Sequence, residues 1–274
     1  MRSWKREIGF TTRLNGSAGG IKVPIKVFRF KFRYAAVAVL LAGLIYGSWI
    51  KVSFELDRRS VEALSTAMAG KVIVIDPGHG GKDPGSRGSS GAEEKDITLE
   101  ISKKLAYMLG QAGASVLLTR DCDMWLADPE APHKKRSDLT RRVEIANSNN
   151  ADAFVSIHAN SFIHDRGQRG AQTFSQPGSE DGKLLSSVVQ EELSRILGNT
   201  KRKPKEIDYF IRRSKVPAII VEVGFLSNPS EEKLLLDPAY QSKVAFAVYG
   251  GLVKYFAGKA YNGVPQENNG AGVN

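Results

Sequence analysis

Five positions in this 274-residue chain place reactive side chains in unusual settings. His79 stands in a glycine-rich run, Asp76-Pro77-Gly78-His79-Gly80-Gly81-Lys82-Asp83-Pro84-Gly85, and His158 leaves the apolar run AFVSIH. Glu222 interrupts another, AIIVEV, where a charge is costly unless it is paired, metal-bound or held protonated. Glu93 and Glu94 stand side by side where a helical pattern begins. Two imidazoles and one carboxylate form a donor set used by catalytic zinc sites, which keep the fourth position for water. A further carboxylate close by would carry the proton that such hydrolases move. Spacing does not choose between Glu93 and Glu94. It also leaves a plainer arrangement open, with His79 a turn residue, His158 a core histidine and Glu222 the partner of a buried Arg.

A glycine-rich run after a strand also suits phosphate, but neither phosphate pattern fits. Asp76 stands where the first Walker glycine should be and Asp83 follows Lys82, while Asp83 also takes the third glycine of the dinucleotide pattern. His133 and His164 fall in polar loops and are assigned no chemistry. The lone Cys122 makes no internal disulfide and is assigned to a turn.

The elements that must position these residues are legible from periodicity. Four apolar, β-branched runs predict strands over 71–76, 115–119, 153–158 and 218–223. Between and after them, apolar spacings of three and four predict helices over 96–112, 139–149, 182–197 and 240–256. Strands alternating with helices specify an α/β fold: a mainly parallel twisted sheet with helices on both faces, in a single domain over 71–257. In such sheets ligands gather at the carboxyl ends of strands, where His79, His158 and Glu222 fall.

At those residues the chain resembles a known family. The segments KVIVIDPGHGGKDPGSRG, EEKDITLEISKKLAYML, SVLLTRDCD, RRVEIANSNNADAFVSIHANS and VPAIIVEVGFLSNPSEEKLL, in this order, resemble the zinc-dependent N-acetylmuramoyl-L-alanine amidases of bacterial cell-wall remodelling. The resemblance implies Zn²⁺ held by His79, Glu94 and His158, with Glu222 as the catalytic carboxylate, and so selects Glu94 over Glu93. It implies peptidoglycan as substrate and hydrolysis of the bond between N-acetylmuramic acid and L-alanine. The alternatives are a zinc peptidase cutting within the stem peptide and a non-catalytic wall-binding protein. Asp121–Arg136 and Asn199-Thr200-Lys201-Arg202 are similar to the sporulation- and germination-associated members, the CwlD type. That likeness implies a place in spore cortex, ahead of muramic-δ-lactam formation by a cooperating deacetylase, and leaves room for an activator protein. The glycines around His79 are expected to admit a bulky glycan, and Arg212 or Arg213 to meet substrate carboxylates.

Charge distribution supplies the location. The chain carries 39 Lys/Arg against 29 Asp/Glu, a net +10 that by itself would suit nucleic acid. Residues 1–33 hold nine of those cations and one acid, so they account for +8; the remaining 30 cations against 28 acids leave only +2. No nucleic-acid partner is expected. The next segment, 34–50, is 17 residues without a charge, bordered by Tyr34, Tyr46 and Trp49. A helix of that length rises about 25 Å, a short membrane span, and the positive-inside rule orients it. The predicted organisation is a basic cytoplasmic arm (1–33), a transmembrane signal anchor (34–50), a spacer (51–70), the catalytic domain (71–257) outside the membrane, and a disordered tail (258–274). Ala67-Met68-Ala69 has the composition of a peptidase site but lies too far from the apolar run for signal cleavage.

Overall fold

The structure, a computed structural model, describes residues 37–48 and 67–263, with side chains through Lys259. The chain divides into two units, one within Met1–Phe54 and the other within Glu55–Asn274. In the first, helix α1 runs over 37–48, inside the predicted apolar span, with Val39, Leu40, Leu44 and Ile45 exposed. Among the described residues no helix is long and apolar enough to cross a membrane. The basic arm, both ends of the expected 34–50 span and most of the spacer lie outside the described residues, as does the tail from 264.

The second unit is an α/β sandwich. Its elements are β1 (Val72–Pro77), α2 (Glu94–Gln111), β2 (Ser115–Leu118), α3 (Lys134–Ser148), β3 (Ala153–Asn160), β4 (Gln172–Ser175), α4 (Glu180–Leu197), β5 (Lys205–Glu206), a 3₁₀ turn (Phe210–Arg213), β6 (Ala218–Phe225), α5 (Pro229–Leu236) and α6 (Pro238–Gly263). The strands lie in the order β2-β1-β3-β6-β4-β5, and every neighbouring pair is parallel except β4 with β6. The three central strands are apolar on both faces because helices cover both. Ile73, Ile75, Val155, Ile157, Ile219 and Val221 pack against α2, α4 and α6. Val74, Phe154 and Ile220, pointing the other way, pack against Val143 and Ala146 of α3 and Phe210 and Ile211 of the 3₁₀ turn. On α2, Ile97, Ile101, Leu105 and Leu109 recur every four residues and are buried, while Glu94 and Asp96 occupy the first turn, where the helix dipole favours acids.

All four predicted strands and helices form, with ends shifted by a few residues. Three further elements escaped the periodicity. Strand β4 is short and rich in polar residues, and its buried Thr173 is satisfied by α4: its amide donates to Gln190 Oε1 (2.8 Å) and its hydroxyl to Ser186 O (2.9 Å). β5 has only two residues, and α5 is one short helix started by Asn228, whose side chain accepts from the amides of Ser230 and Glu231. At the domain's edges, Met68 is fully buried, so the end of the expected spacer packs into the core, and α6 continues six residues past 257.

Candidate metal centre

Three side chains from three elements converge at the carboxyl end of the sheet. His79 lies in the loop after β1, Glu94 is the first residue of α2, and His158 is on β3. His79 Nε2 and His158 Nδ1 each lie 3.1 Å from Glu94 Oε1, and the imidazoles meet edge to face with centroids 4.9 Å apart. One donor atom from each falls within 4.8 Å of the others, a spacing that fits one metal ion. The donor chemistry, two imidazole nitrogens and a carboxylate oxygen, is that of a zinc site with an open position. Glu93, the alternative from spacing, points away and pairs with Arg87 and Lys95.

Glu94 is held from behind. Its Oε1 accepts from the amide of Ala159 (2.9 Å) and its Oε2 from the amide of Ser86 (2.8 Å). Burial would raise its pKa, but the hydrogen bonds and charges of His158 and His79 outweigh burial and hold it well below the usual carboxylate range. The same contacts raise the pKa of His79 against the effect of burial, with Glu94 contributing more than Asp83. Asp83 Oδ2 stands 3.0 Å from His79 Nδ1, the ring nitrogen turned away from Glu94. Carboxylates placed behind a ligating imidazole fix its tautomer and orientation.

Glu222 is the direct cross-strand neighbour of His158 in the β3–β6 pair, so period-2 alternation aims both side chains to the same face. The register shifts immediately beyond them, before Asn160 pairs with Phe225, a disruption common beside functional sites. Glu222 Oε2 is buried without a hydrogen-bond partner. Burial, reinforced by the negative charge of Glu94 and opposed by His158, pushes its pKa up to about 7. Glu222 therefore has no buried Arg for a partner, and the plainer arrangement fails there.

The buried arginines serve the loop instead. Arg142 Nη1 donates to Asp76 Oδ1 and to Pro77 O, both at 2.7 Å, and its Nη2 donates to His79 O at 2.6 Å. Arg120 donates from Nε to Pro77 O and from Nη2 to Gly78 O, both at 2.9 Å. Three successive carbonyls, of residues 77 to 79, are thus clamped by two guanidinium groups, and His79 is held at φ 63°, a conformation uncommon for a non-glycine residue. Asp76 anchors the clamp; burial alone would raise its pKa, but Arg142, Ser156 and Thr119 hold it low. Arg120, Arg142 and Asp83 fall within the sequence motifs without a role evident from spacing. Their signals are a cation directly after the apolar run 115–119 and an Asp138–Arg142 pair at i,i+4.

The glycines have a tighter reason than room for a glycan. A Cβ on Gly78 would lie 2.4–2.7 Å from the His158 ring, and one on Gly85, at φ +68°, would lie 2.7 Å from Glu94 Oε2 and 2.8 Å from His79 Cδ2. The space is taken by the donor side chains themselves. Arg212 and Arg213 lie on the 3₁₀ turn, Arg212 paired with Asp208 (2.9 Å) and Arg213 donating to Thr140 Oγ1 (2.9 Å). His133 caps the start of α3 without a side-chain hydrogen bond, His164 lies in an exposed loop, and Cys122 is free and exposed in a loop.

Comparison with known proteins bears on the family and the fold. The sequence profile of the N-acetylmuramoyl-L-alanine amidase family Amidase_3 matches residues 73–254. The germination-specific N-acetylmuramoyl-L-alanine amidase of Bacillus subtilis (strain 168) is 41% identical over 229 residues, covering 81% of this chain and 95% of that protein. Among solved structures, the CwlD amidase from Clostridioides difficile in complex with the GerS lipoprotein is 41% identical, with a TM-score of 0.65 over 68% of this chain and 98% of that one. The amidase AmiC2 of Nostoc punctiforme is 35% identical, with a TM-score of 0.60 over 68% and 98%.

Proposed function

The chain belongs to the Amidase_3 family of N-acetylmuramoyl-L-alanine amidases, and from that premise we propose that it hydrolyses the amide between N-acetylmuramic acid and L-alanine in peptidoglycan with a zinc-activated water. The observation that carries this reading is the convergence of His79 Nε2, Glu94 Oε1 and His158 Nδ1 beside the unpartnered Glu222 Oε2. When bound by the three donors, zinc supplies Lewis acidity, lowering the pKa of a water toward roughly 7 and stabilising charge on the carbonyl oxygen. Glu222 accepts the proton of the attacking water and returns it to the leaving nitrogen of L-alanine. A carboxyl pushed up to about 7 suits both halves of that transfer. Asp83 orients His79, and the Arg120–Arg142 clamp holds the loop that presents it.

Digestion of purified peptidoglycan by the zinc-loaded protein tests the reading. New N-terminal L-alanine on the released peptides, with the glycan strands left intact, is expected. New termini elsewhere in the stem would make it a peptidase, and no new termini would reject catalysis.

Likeness to the germination-specific relative supports a role in spore cortex, before deacetylation of the exposed muramic acid and closure of muramic-δ-lactam. Normal muramic-δ-lactam in spores of a deletion strain would reject it. The C. difficile relative is in complex with a lipoprotein, and we extend an activating partner of that kind to this chain. The apolar segment 34–50 behind its basic arm anchors the enzyme, with the catalytic domain outside the membrane.

A further inference from the structure

A cavity of about 500 Å³ lies between α3 and the 3₁₀ turn. Its lining includes Lys135 and Arg136 from α3, and Asp208, Tyr209, Arg212 and Arg213 from and beside the turn. Four cations thus face one carboxylate, and that carboxylate is already paired with Arg212. Residues 34–274 together carry only +2, so this concentration is local. Arg136 is exposed and has no hydrogen bond or ion pair among the described residues, so its five donors stand free for an incoming anion. The Tyr209 ring, itself exposed, meets Phe210 edge to face with centroids 5.0 Å apart and gives the cavity an aromatic wall.

One wall of the cavity reaches toward the metal centre. Lys135 Nζ lies 3.6 Å from Asp83 Oδ2, and the same oxygen stands 3.0 Å from His79 Nδ1. A substrate whose scissile carbonyl sits at the donors therefore has this basic, partly aromatic cavity on the Lys135 side of His79. On the leaving side of that bond the substrate is a peptide that begins with L-alanine and continues through residues with free carboxylates.

We infer that this cavity is the subsite for the acidic stem peptide, with Arg136 and Lys135 meeting its first free carboxylate and Tyr209 covering its backbone. The inference rests on the amidase reading and adds the discrimination between acidic and amidated stems. Guanidinium groups suit this task because their planar fork matches a carboxylate and does not deprotonate.

The test compares kcat/KM of the zinc-loaded full chain on N-acetylmuramoyl-L-alanyl-D-glutamate and on N-acetylmuramoyl-L-alanyl-D-isoglutamine, which differ by one carboxylate. Wild type is expected to favour the acidic substrate roughly two- to five-fold, the scale of one exposed ion pair, mainly through KM. Arg136→Gln should bring the ratio close to one, and Lys135→Gln should lower it. Lys243→Gln, on an exposed position of α6, should leave it unchanged. Equal kcat/KM for the two substrates in wild type, or an unchanged ratio in Arg136→Gln, would overturn the subsite while leaving the amidase reading intact. Failure of wild type to release peptides with N-terminal L-alanine from whole peptidoglycan would instead reject the amidase reading itself.

Discussion

Glu94 and Glu222 approach the same two imidazoles, and their surroundings drive them in opposite directions. Glu94 accepts two backbone amides and stays ionised, whereas Glu222 Oε2 has no partner among the described residues and favours its proton. Glu222→Gln is therefore expected to cut turnover by about 10²- to 10⁴-fold while zinc remains bound. His79→Ala and His158→Ala should lose the zinc itself, and metal analysis beside the peptidoglycan assay separates the two patterns. Asp83→Asn should keep the donors but release the His79 ring, weakening zinc about 10- to 100-fold in a chelator competition. A pH signature follows for the metal-free chain. The unfolded Glu222 carboxyl ionises near its ordinary 4.5 and the folded one at about 7. Between those values the folded state holds more protons, so its stability falls as pH rises through that window. Glu222→Gln should therefore raise the urea midpoint of the metal-free protein at pH 8 and change it little at pH 4. An equal shift at both would show that burial of this carboxylate carries no such cost.

At the scale of elements, the reactive loop depends on partners distant in sequence. Arg142 on α3 is 1% exposed and neutralises Asp76 at the end of β1, so Arg142→Met would leave a buried carboxylate unpaired and two loop carbonyl bonds unmade. A loss of about 3–5 kcal/mol in urea unfolding is expected, with zinc affinity falling as well. The far end of the same connection is tied to α5. Glu232 is 3% exposed and accepts from the amides and hydroxyls of both Ser89 and Ser90. Burial would raise its pKa, but those bonds hold it at about 2, below the ordinary 4.5 of a glutamate. Its contribution is complete above pH 4.5 and is lost as pH falls from there toward 2. Glu232→Gln should accordingly flatten the acid limb of the stability profile. The strands and helices themselves were legible because each buries a continuous apolar run or stripe. β4 was not, since Ser186 and Gln190 on α4 satisfy its polar residues and remove the alternation that would have marked it.

For the whole molecule, the charge that at first suited nucleic acid separates into an arm that carries +8 and a remainder that carries +2. The full chain is expected to sediment with membranes, and a version beginning at residue 55 to stay in the supernatant with its hydrolase activity intact, because the domain's core closes at Met68 without the apolar segment. What the sequence by itself determined is the fold class and the family, and it named the four candidate side chains that the fold brings together. Strand and helix periods, and residue types with few alternative uses, are local properties that one chain displays. Only the tertiary structure decided what stands around them: the clamp on residues 77 to 79, the carboxylate behind His79, the glycines that yield space to the donors, and the basic cavity beside them. Those depend on distances between residues up to about 80 positions apart, and burial and charge act through space, which no spacing along the chain records.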